Sequence, residues 1–225
     1  MLLSRNRLFE RKPATREARS IYIFCEGKRR EKNYFDYFRE MDSRINVEVY
    51  ELNGEEDNSP LGLLEIAKRS IIESEVNPNP SYTFQENDEV WIVLDTDPDQ
   101  QESRKEQIDT VRREISKLDA WFVTESNPCF EVWLYYHFHE KVEPFGSSDI
   151  CKTWKVMVNK SISGGFDSRK HPLYVERATT NAEVNFKANE SGKLSVGSTE
   201  VFRLSKSFLP LILKKIKEVQ VRLGL

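Results

Sequence analysis

Residues 90–97 read VWIVLDTD, and this stretch decides the fold. Its first five residues form a continuous apolar run, which is typical of a central strand buried on both faces of a parallel sheet. The run ends abruptly at Asp95, and Pro98 stops the chain from continuing as a strand. The sequence therefore predicts a buried strand over 90–94, with the carboxylates of Asp95 and Asp97 at its carboxyl end.

Strand-like segments and amphipathic helices alternate on both sides of this run. Further strands are predicted over 21–25, 47–50 and 120–124, and helices over 31–41, 60–75, 101–117 and 127–139. This alternation is typical of a mostly parallel sheet covered by helices on both faces. We therefore expect an α/β fold with four strands. The acidic ends of the first and third strands converge if those two strands are neighbours.

The pattern weakens beyond residue 141. It predicts a helix near 149–159, a loop at 161–165, and a polar stretch through 198. A final helix is predicted over about 200–221, with an interruption near Pro210 because proline cannot donate the helical hydrogen bond. We expect these segments to form a mainly helical extension.

Three segments are thus expected along the chain. A basic N-terminal arm covers 1–19, and it is either a phosphate-contacting segment or a solvated terminus. The α/β domain covers 20–140, and the mainly helical C-terminal extension covers 141–225 and packs on that domain.

Charge and composition restrict the class of protein. The chain has 225 residues, a formal net charge of −3, and three cysteines whose spacing fits no zinc site. The charge argues against a basic nucleic-acid-wrapping protein. No segment approaches the roughly 20 apolar residues that span a bilayer. We expect a cytoplasmic protein with reduced cysteines and no membrane partner.

Asp95 and Asp97 are candidate metal ligands. Two carboxylates separated by one residue project in similar directions from an extended backbone, a geometry that suits a hard cation such as Mg²⁺ or Mn²⁺. A D-x-D sequence is also common in loops that bind no metal, so the alternative of a solvated loop stays open.

Glu26 and Gly27 directly follow the first predicted strand. An acidic residue there lies at the edge of the sheet where ligands of parallel α/β proteins gather. Lys28, Arg29 and Arg30 then place cations where a nucleic-acid backbone would need them. The alternative is an exposed turn followed by a solvated first turn of a helix.

Glu131 and His137 lie on a largely apolar predicted helix. A buried carboxylate must be paired or take part in chemistry. Glu131 is therefore either a catalytic residue or the partner of an arginine. His137 is either a functional group or a hydrogen-bonded core histidine.

Four stretches together resemble the RloB family of bacterial defence-associated proteins. They are IFCEG at 23–27 followed by EKNYF at 31–35, the Asp95/Asp97 strand end, SNPCFEVWL at 126–134, and STEVFRL at 198–204. The resemblance covers nearly the whole chain. The family is regarded as Toprim-like, similar to the catalytic domains of topoisomerases, primases and overcoming-lysogenization-defect nucleases.

The resemblance implies roles for particular residues. Glu26 would be an acid/base or a metal ligand, and Asp95 and Asp97 would bind Mg²⁺. Glu31 and Glu131 belong to the family-like motifs, and Glu131 is a second catalytic candidate. The sequence departs from the family pattern at Arg30, where a threonine is usual, so a cation replaces a hydroxyl there.

The sequence thus predicts a Toprim-like, Mg²⁺- or Mn²⁺-dependent nuclease that hydrolyses DNA or RNA in anti-phage defence. The alternative is a non-catalytic nucleic-acid sensor or a subunit that binds a defence-system partner. The aromatic residues Trp133, Tyr135 and Tyr136 and the C-terminal helix would suit such an interface. A metal site kept only for structure, and a homo-oligomer, are further options.

Overall fold

A single parallel sheet organises the chain. The computed structural model describes residues 9–96, 102–142 and 150–225, and in these residues four strands pair in the order β2-β1-β3-β4. The strands are β1 (Arg19–Cys25), β2 (Ile45–Val49), β3 (Glu89–Asp95) and β4 (Trp121–Ser126). The predicted α/β class is confirmed, and the condition for the acidic strand ends to converge is met, because the first and third strands are neighbours.

Seven α-helices occur in the described residues. They are α1 (Arg30–Phe35), α2 (Pro60–Ile71), α3 (Glu102–Ile115), α4 (Glu131–Tyr136), α5 (Cys151–Ser161), α6 (Val175–Val184) and α7 (Val201–Leu223). Short 3-10 turns cover Asp36–Phe38 and His171–Tyr174. Ser59 caps α2 by accepting a hydrogen bond from the Gly62 N–H at 3.2 Å, so this predicted helix start is confirmed.

The helices lie in two layers because side chains alternate along each strand. In β1, Ile21 and Ile23 face a core that is closed by α1, α4, α5, α6 and α7. Tyr22 and Phe24 face the opposite core, which is closed by α2 and α3. The switch point of the sheet therefore lies between β1 and β3, because the chain moves outward from these two strands in opposite directions.

The C-terminal helices α5, α6 and α7 help to close the core that Ile21 and Ile23 face, which we call the first core. They do not form a separate core. Residues of α5, α6 and α7 pack in the same apolar cluster as α1, α4 and β1. The helical character of this region is thus confirmed, while the boundary expected near residue 140 stays a prediction.

Three predicted helices are shorter than expected, and one of them, α2, ends at Ile71 instead of near residue 75. α1 ends at Phe35, because the chain turns at Arg39 and Glu40, where Glu40 adopts a φ of 59° and its carbonyl accepts from the Lys12 N–H at 2.8 Å. α4 begins only at Glu131. The residues before it are held by backbone hydrogen bonds to another segment, since the Asn127 N–H donates to the Ser198 carbonyl at 2.9 Å.

Helix α6 lies in the stretch that was described only as polar, and no helix was predicted at this position within the mainly helical extension. The helix buries one stripe of small residues, Val175, Ala178, Thr179 and Ala182. The Thr179 Oγ1 and Ser205 Oγ atoms are 2.7 Å apart, which ties α6 to α7. The stripe has helical spacing, but its low hydrophobicity hid it among charged neighbours.

The predicted interruption at Pro210 is also wrong, because α7 is continuous through this residue. Pro210 is exposed, so the missing backbone hydrogen bond falls on the solvent side. On the other side Phe208, Leu209 and Ile212 pack into the core and hold the two halves of the helix together.

Pro210→Ala is therefore expected to stabilise the protein. Alanine restores the helical N–H and removes the clash of the proline ring, and we expect a gain of about 1–2 kcal/mol, which is roughly 2–6 °C in Tm for a chain of this size. Thermal unfolding followed by circular dichroism measures this. Lys214→Ala, at another exposed position of α7, should change stability by less than about 0.5 kcal/mol. A lower Tm for Pro210→Ala would show that the proline ring contributes packing that its cost in the helix does not outweigh.

Candidate active site

Glu26 and Asp95 meet at the switch point of the sheet. Glu26 follows the last residue of β1 and Asp95 is the last residue of β3, and the two strands are paired with Cys25 opposite Val93. The Asp95 N–H donates a hydrogen bond to Glu26 Oε1 at 3.2 Å. Two of the predicted site residues are thus brought together by strand pairing alone. Asp97 lies outside the described residues.

Arg104 joins this pair from helix α3. Its Nη2 donates to both carboxylate oxygens of Glu26, at 2.5 Å for Oε2, and to the Asp95 carbonyl at 2.8 Å. Its Nε donates to the same carbonyl at 3.1 Å. The side chains of Arg104 and Glu26 are only 12% and 15% exposed. Arg104 was not among the residues predicted from the sequence, because nothing local distinguishes it from the other charged residues of α3.

The surroundings of Glu26 shift the pKa of its carboxyl toward neutral pH. Burial raises the pKa of this carboxyl to about 6, and the Arg104 guanidinium and the Asp95 N–H limit the rise. The carboxylate is therefore mostly ionised at pH 7 and still able to exchange a proton. A pKa close to the working pH is what a general acid/base requires.

The Asp95 carboxyl lies among other carboxylates. Burial raises the pKa of its carboxyl well above the ordinary value, and the neighbouring carboxylates of Glu26, Glu31 and Glu131 raise it further. Among the salt bridges within the described part of the chain, none joins Asp95 to a lysine or an arginine. A bound cation would remove both the repulsion and the pKa rise.

Glu131 is buried, and Arg30 is its partner. The Arg30 Nη1 lies 2.5 Å from Glu131 Oε1. The predicted alternative of pairing with an arginine is thus realised. The arginine is the residue that stands where the family pattern has a threonine. Lys155 of α5 also faces this carboxylate, which is the largest cause of the raised pKa of that lysine.

Glu31 supplies a fourth carboxylate, and Gly27 makes room for it. A Cβ atom at position 27 would lie 1.6 Å from Glu31 Oε2, so only glycine allows the carboxylate to occupy this place. Burial raises the pKa of Glu31, and Glu131 adds to the rise. The cluster therefore contains Glu26, Glu31, Asp95 and Glu131, which we call the acidic cluster.

The three predicted nucleic-acid-binding residues point in different directions. Arg30 is directed at Glu131. Lys28 is exposed and donates to the Asn53 carbonyl at 3.2 Å, and Arg29 is exposed. Their role in binding nucleic acid stays a prediction.

His137 belongs to the core. Its Nδ1 is 3.0 Å from the Trp133 carbonyl and its Nε2 is 3.0 Å from the Tyr34 hydroxyl. A carbonyl only accepts, so Nδ1 carries the proton and Nε2 accepts from Tyr34. Burial lowers the pKa of His137 to about 3, which keeps the ring neutral. Of the two alternatives, the hydrogen-bonded core histidine describes this residue.

The aromatic residues expected at an interface are part of the same core. Trp133, Tyr135 and Tyr136 are at most 2% exposed. Their proposed use as a docking surface is wrong, because helix α4 turns its aromatic side chains inward and is covered by α5 and α6.

The two family-like motifs at 126–134 and 198–204 meet at the end of β4. The hydroxyls of Ser126 and Thr199 are 2.7 Å apart, and the Glu200 N–H donates to the Glu125 carbonyl at 2.7 Å. The Glu125 carboxylate is buried and accepts from Arg112 Nε at 2.5 Å. Burial raises the pKa of Glu125 to about 7 in spite of that arginine.

Glu125 is expected to make stability depend on pH. Its pKa is about 7 in the folded protein and near 4.5 in the unfolded chain. Its stabilising contribution is therefore present below about pH 4.5 and is lost as the pH rises through 7. Between pH 5 and pH 8 the Tm of the wild type should fall relative to that of Glu125→Gln. The difference in unfolding free energy should change by roughly 2–3 kcal/mol.

Thermal unfolding in EDTA at several pH values measures this difference. Glu114→Gln is the matched control, because Lys117 holds the pKa of Glu114 below its ordinary value and this group does not titrate between pH 5 and pH 8. A wild-type-minus-Glu125→Gln difference that stays constant over this range would contradict a raised Glu125 pKa.

No three His, Cys, Asp or Glu side chains of 9–96, 102–142 and 150–225 converge as a complete metal-ligand set. The predicted third ligand, Asp97, lies outside these residues. No helix in these same ranges is both long enough and apolar enough to cross a membrane.

Fold and site together define an α/β protein with a parallel sheet of order 2-1-3-4 and an acidic cluster at its switch point. A model of the RloB-like protein family matches residues 21–207, and the chain therefore belongs to this family. No curated protein and no solved structure matches the chain.

Proposed function

We propose that the protein is a metal-dependent nuclease that hydrolyses phosphodiester bonds of DNA or RNA. The observation that carries the proposal is Asp95, a carboxylate held beside Glu26 at the switch point without a lysine or arginine partner among the described residues. A carboxyl kept there costs stability whether it is ionised without a cation or takes up a proton, so a functional use is the simplest reason for it.

The residues fit a hard divalent cation. Carboxylate oxygens are the ligands that Mg²⁺ and Mn²⁺ prefer, and the repulsion within the acidic cluster is relieved by a positive charge. Asp95 would hold the cation, together with the predicted ligand Asp97, while Glu26 would take the acid/base role of its two predicted roles. A cation bound there would polarise the scissile phosphate and lower the pKa of water.

The protein's own groups would handle the proton and the substrate. Glu26, with a pKa of about 6, can accept a proton at neutral pH and return it to the leaving oxygen. Arg104 fixes the direction of the Glu26 carboxylate by binding both of its oxygens. Glu131, the second predicted catalytic residue, is shielded by Arg30, so its role in this proposal is to add negative charge around Asp95.

The chain's membership of the RloB-like family is consistent with this proposal. A Toprim-like site and a role in anti-phage defence, both implied by the sequence resemblance, are part of the proposal, as is action in the cytoplasm. Such an enzyme would meet phage or host nucleic acid there.

Cleavage of defined nucleic acids tests the proposal. Purified protein is incubated with pooled tRNA, single-stranded DNA and duplex DNA, in Mg²⁺, Mn²⁺ or EDTA. We expect cleavage of one substrate class that requires metal and falls at least about a hundredfold in Glu26→Gln and Asp95→Asn. Glu65→Gln, an exposed carboxylate on α2, is the matched control and should keep full activity. Full metal-dependent cleavage by either site variant would overturn the proposal.

One observation favours a second candidate, a non-catalytic subunit that senses nucleic acid or binds a defence partner. Glu26 and Glu131 are each already engaged by an arginine, Arg104 and Arg30, as in a site fixed for structure. Nucleic-acid binding that is equal with and without metal and unchanged in Asp95→Asn, with no cleavage of any substrate, would support this candidate.

A further inference from the structure

Helix α5 presents a basic face to solvent. Its eleven residues read CKTWKVMVNKS and include no acidic residue. Lys152, Lys155 and Lys160 are exposed, together with Thr153 and Asn159. This local excess of positive charge stands in a chain whose formal net charge is −3.

The lysines of α5 are not used to hold the fold together. Trp154 and Val158, on the other side of the helix, are buried in the first core and anchor it. Within the described residues, none of the three lysines forms a salt bridge with a carboxylate. Their ammonium groups thus remain accessible to a ligand. Exposed lysines without carboxylate partners are also found on surfaces that contact only water. The position of this face relative to the acidic cluster distinguishes a binding surface from a solvated one.

The basic face begins beside the acidic cluster. Cys151, the first residue of α5, has its carbonyl 4.0 Å from the Cys129 sulfur, two residues before Glu131 along the chain. The Glu131 carboxylate is the largest cause of the raised pKa of Lys155, and the Asp95 carboxylate adds to it. From Lys152 to Lys160 the helix extends over about 12 Å, a length that covers three to four phosphates of one DNA strand.

The chemistry of this face favours nucleic acid over a membrane. A helix that lies on a bilayer must insert an apolar face among the lipid headgroups. The apolar face of α5 is already buried in the protein, and Val156 is the large apolar residue of its outer face, at 44% exposure. Lysines with threonine and asparagine between them are instead typical of phosphate-backbone contacts.

We propose that the exposed face of α5, through Lys152, Lys155 and Lys160, holds the phosphate backbone of a nucleic acid and leads it across the acidic cluster. This inference rests on the proposed function for the class of its partner, and it adds the surface on which that partner lies. The contacts are made to phosphates, so they give affinity without sequence preference.

Binding without cleavage tests the inference. Fluorescence anisotropy in EDTA measures the affinity of the full chain for labelled single-stranded RNA, single-stranded DNA and duplex DNA at several salt concentrations. The test variant is K152Q/K155Q/K160Q. The matched control is K206Q/K214Q/K217Q, which removes the same charge from α7, where Lys206 and Lys217 already pair with Glu183 and Glu176. Circular dichroism checks that both variants are folded.

We expect the α5 variant to bind at least about tenfold more weakly at low salt. The slope of log affinity against log salt should fall by about 2 for a single strand and by almost 3 for duplex DNA, one increment for each lost phosphate contact. The α7 control should stay within about twofold of the wild type. Equal binding by the α5 variant, equal loss in both variants, or a wild type that binds no nucleic acid would each overturn the inference.

The same variants separate this inference from the proposed function. Binding that depends on α5 in a protein that cleaves nothing supports the surface and counts against the nuclease. Cleavage that needs Asp95 but is unaffected by the loss of the α5 lysines supports the nuclease and overturns the surface. Sedimentation with vesicles of phosphatidylcholine and phosphatidylserine that is lost only in the α5 variant would assign the face to a membrane instead.

Discussion

Asp95→Asn is expected to raise the Tm of the metal-free protein and to remove its response to divalent cations. Burial and three neighbouring carboxylates raise the pKa of Asp95 above that of the unfolded chain, so this residue costs stability at pH 7, whether the carboxyl is ionised or takes up a proton. Asparagine has the same shape without the charge. We expect a gain of roughly 1–2 kcal/mol, or about 2–6 °C in Tm, measured by thermal unfolding in EDTA.

The wild type should then regain stability when Mn²⁺ is added, by about 2.7 kcal/mol at a concentration of one hundred times Kd, whereas Asp95→Asn should not. Asp167→Asn is a control for which we expect the Tm to change in the opposite direction. Arg169 lowers the pKa of Asp167 to about 2, so loss of this charge should lower the Tm. An Asp95→Asn protein that is less stable than the wild type in EDTA would show that this carboxylate is held for structure.

Arg104→Ala is expected to destabilise the protein strongly at pH 8. The substitution leaves the Glu26 carboxylate largely buried without its cation and also removes two hydrogen bonds to the Asp95 carbonyl. Breaking a buried ion pair from one side is costly, and we expect a loss of about 2–4 kcal/mol, or roughly 5–12 °C in Tm.

The loss should be smaller at pH 5. Without Arg104 the folded-state pKa of Glu26 rises beyond about 6, so the carboxyl is protonated at pH 5 and its stabilising contribution is recovered. Glu26→Gln combined with Arg104→Ala should be more stable at pH 8 than Arg104→Ala alone. Arg113→Ala, an exposed position on the same helix, should have little effect. Equal losses at pH 5 and pH 8 would argue against this ion pair.

The sheet could be predicted because each strand is identified by a short, continuous segment of the sequence. The apolar run before Asp95 and the shorter run before Glu26 each identify a buried strand and its acidic end. Parallel pairing then requires that two such ends share one edge of the sheet when the strands are neighbours, as β1 and β3 are. The meeting of Glu26 and Asp95 follows from topology, without any knowledge of side-chain contacts.

The partners of those carboxylates could not be predicted in the same way. Arg104 reaches Glu26 over 78 residues of sequence, and Arg30 reaches Glu131 over 101. Such contacts depend on how helices rotate about their axes when they pack, which a local charge pattern does not specify. Helix α6 was missed for a different reason, because a stripe of alanine and threonine carries little hydrophobic signal.

The role of the motif at 198–204 could not be predicted from the sequence. Its residues lie far from the acidic ends along the chain, yet Thr199 and Glu200 bond to the end of β4. The motif therefore closes the sheet edge next to the site, and that role becomes visible only when the strands are assembled.

Mn²⁺ binding tests the cation centre most directly. Electron paramagnetic resonance follows titrations of the wild type, Glu26→Gln, Asp95→Asn and the control Glu65→Gln. We predict saturable binding to the wild type and to the control, and affinity at least about tenfold weaker in the two site variants. Mn²⁺ affinity that is the same in all four proteins would contradict a cation centre at the junction of β1 and β3.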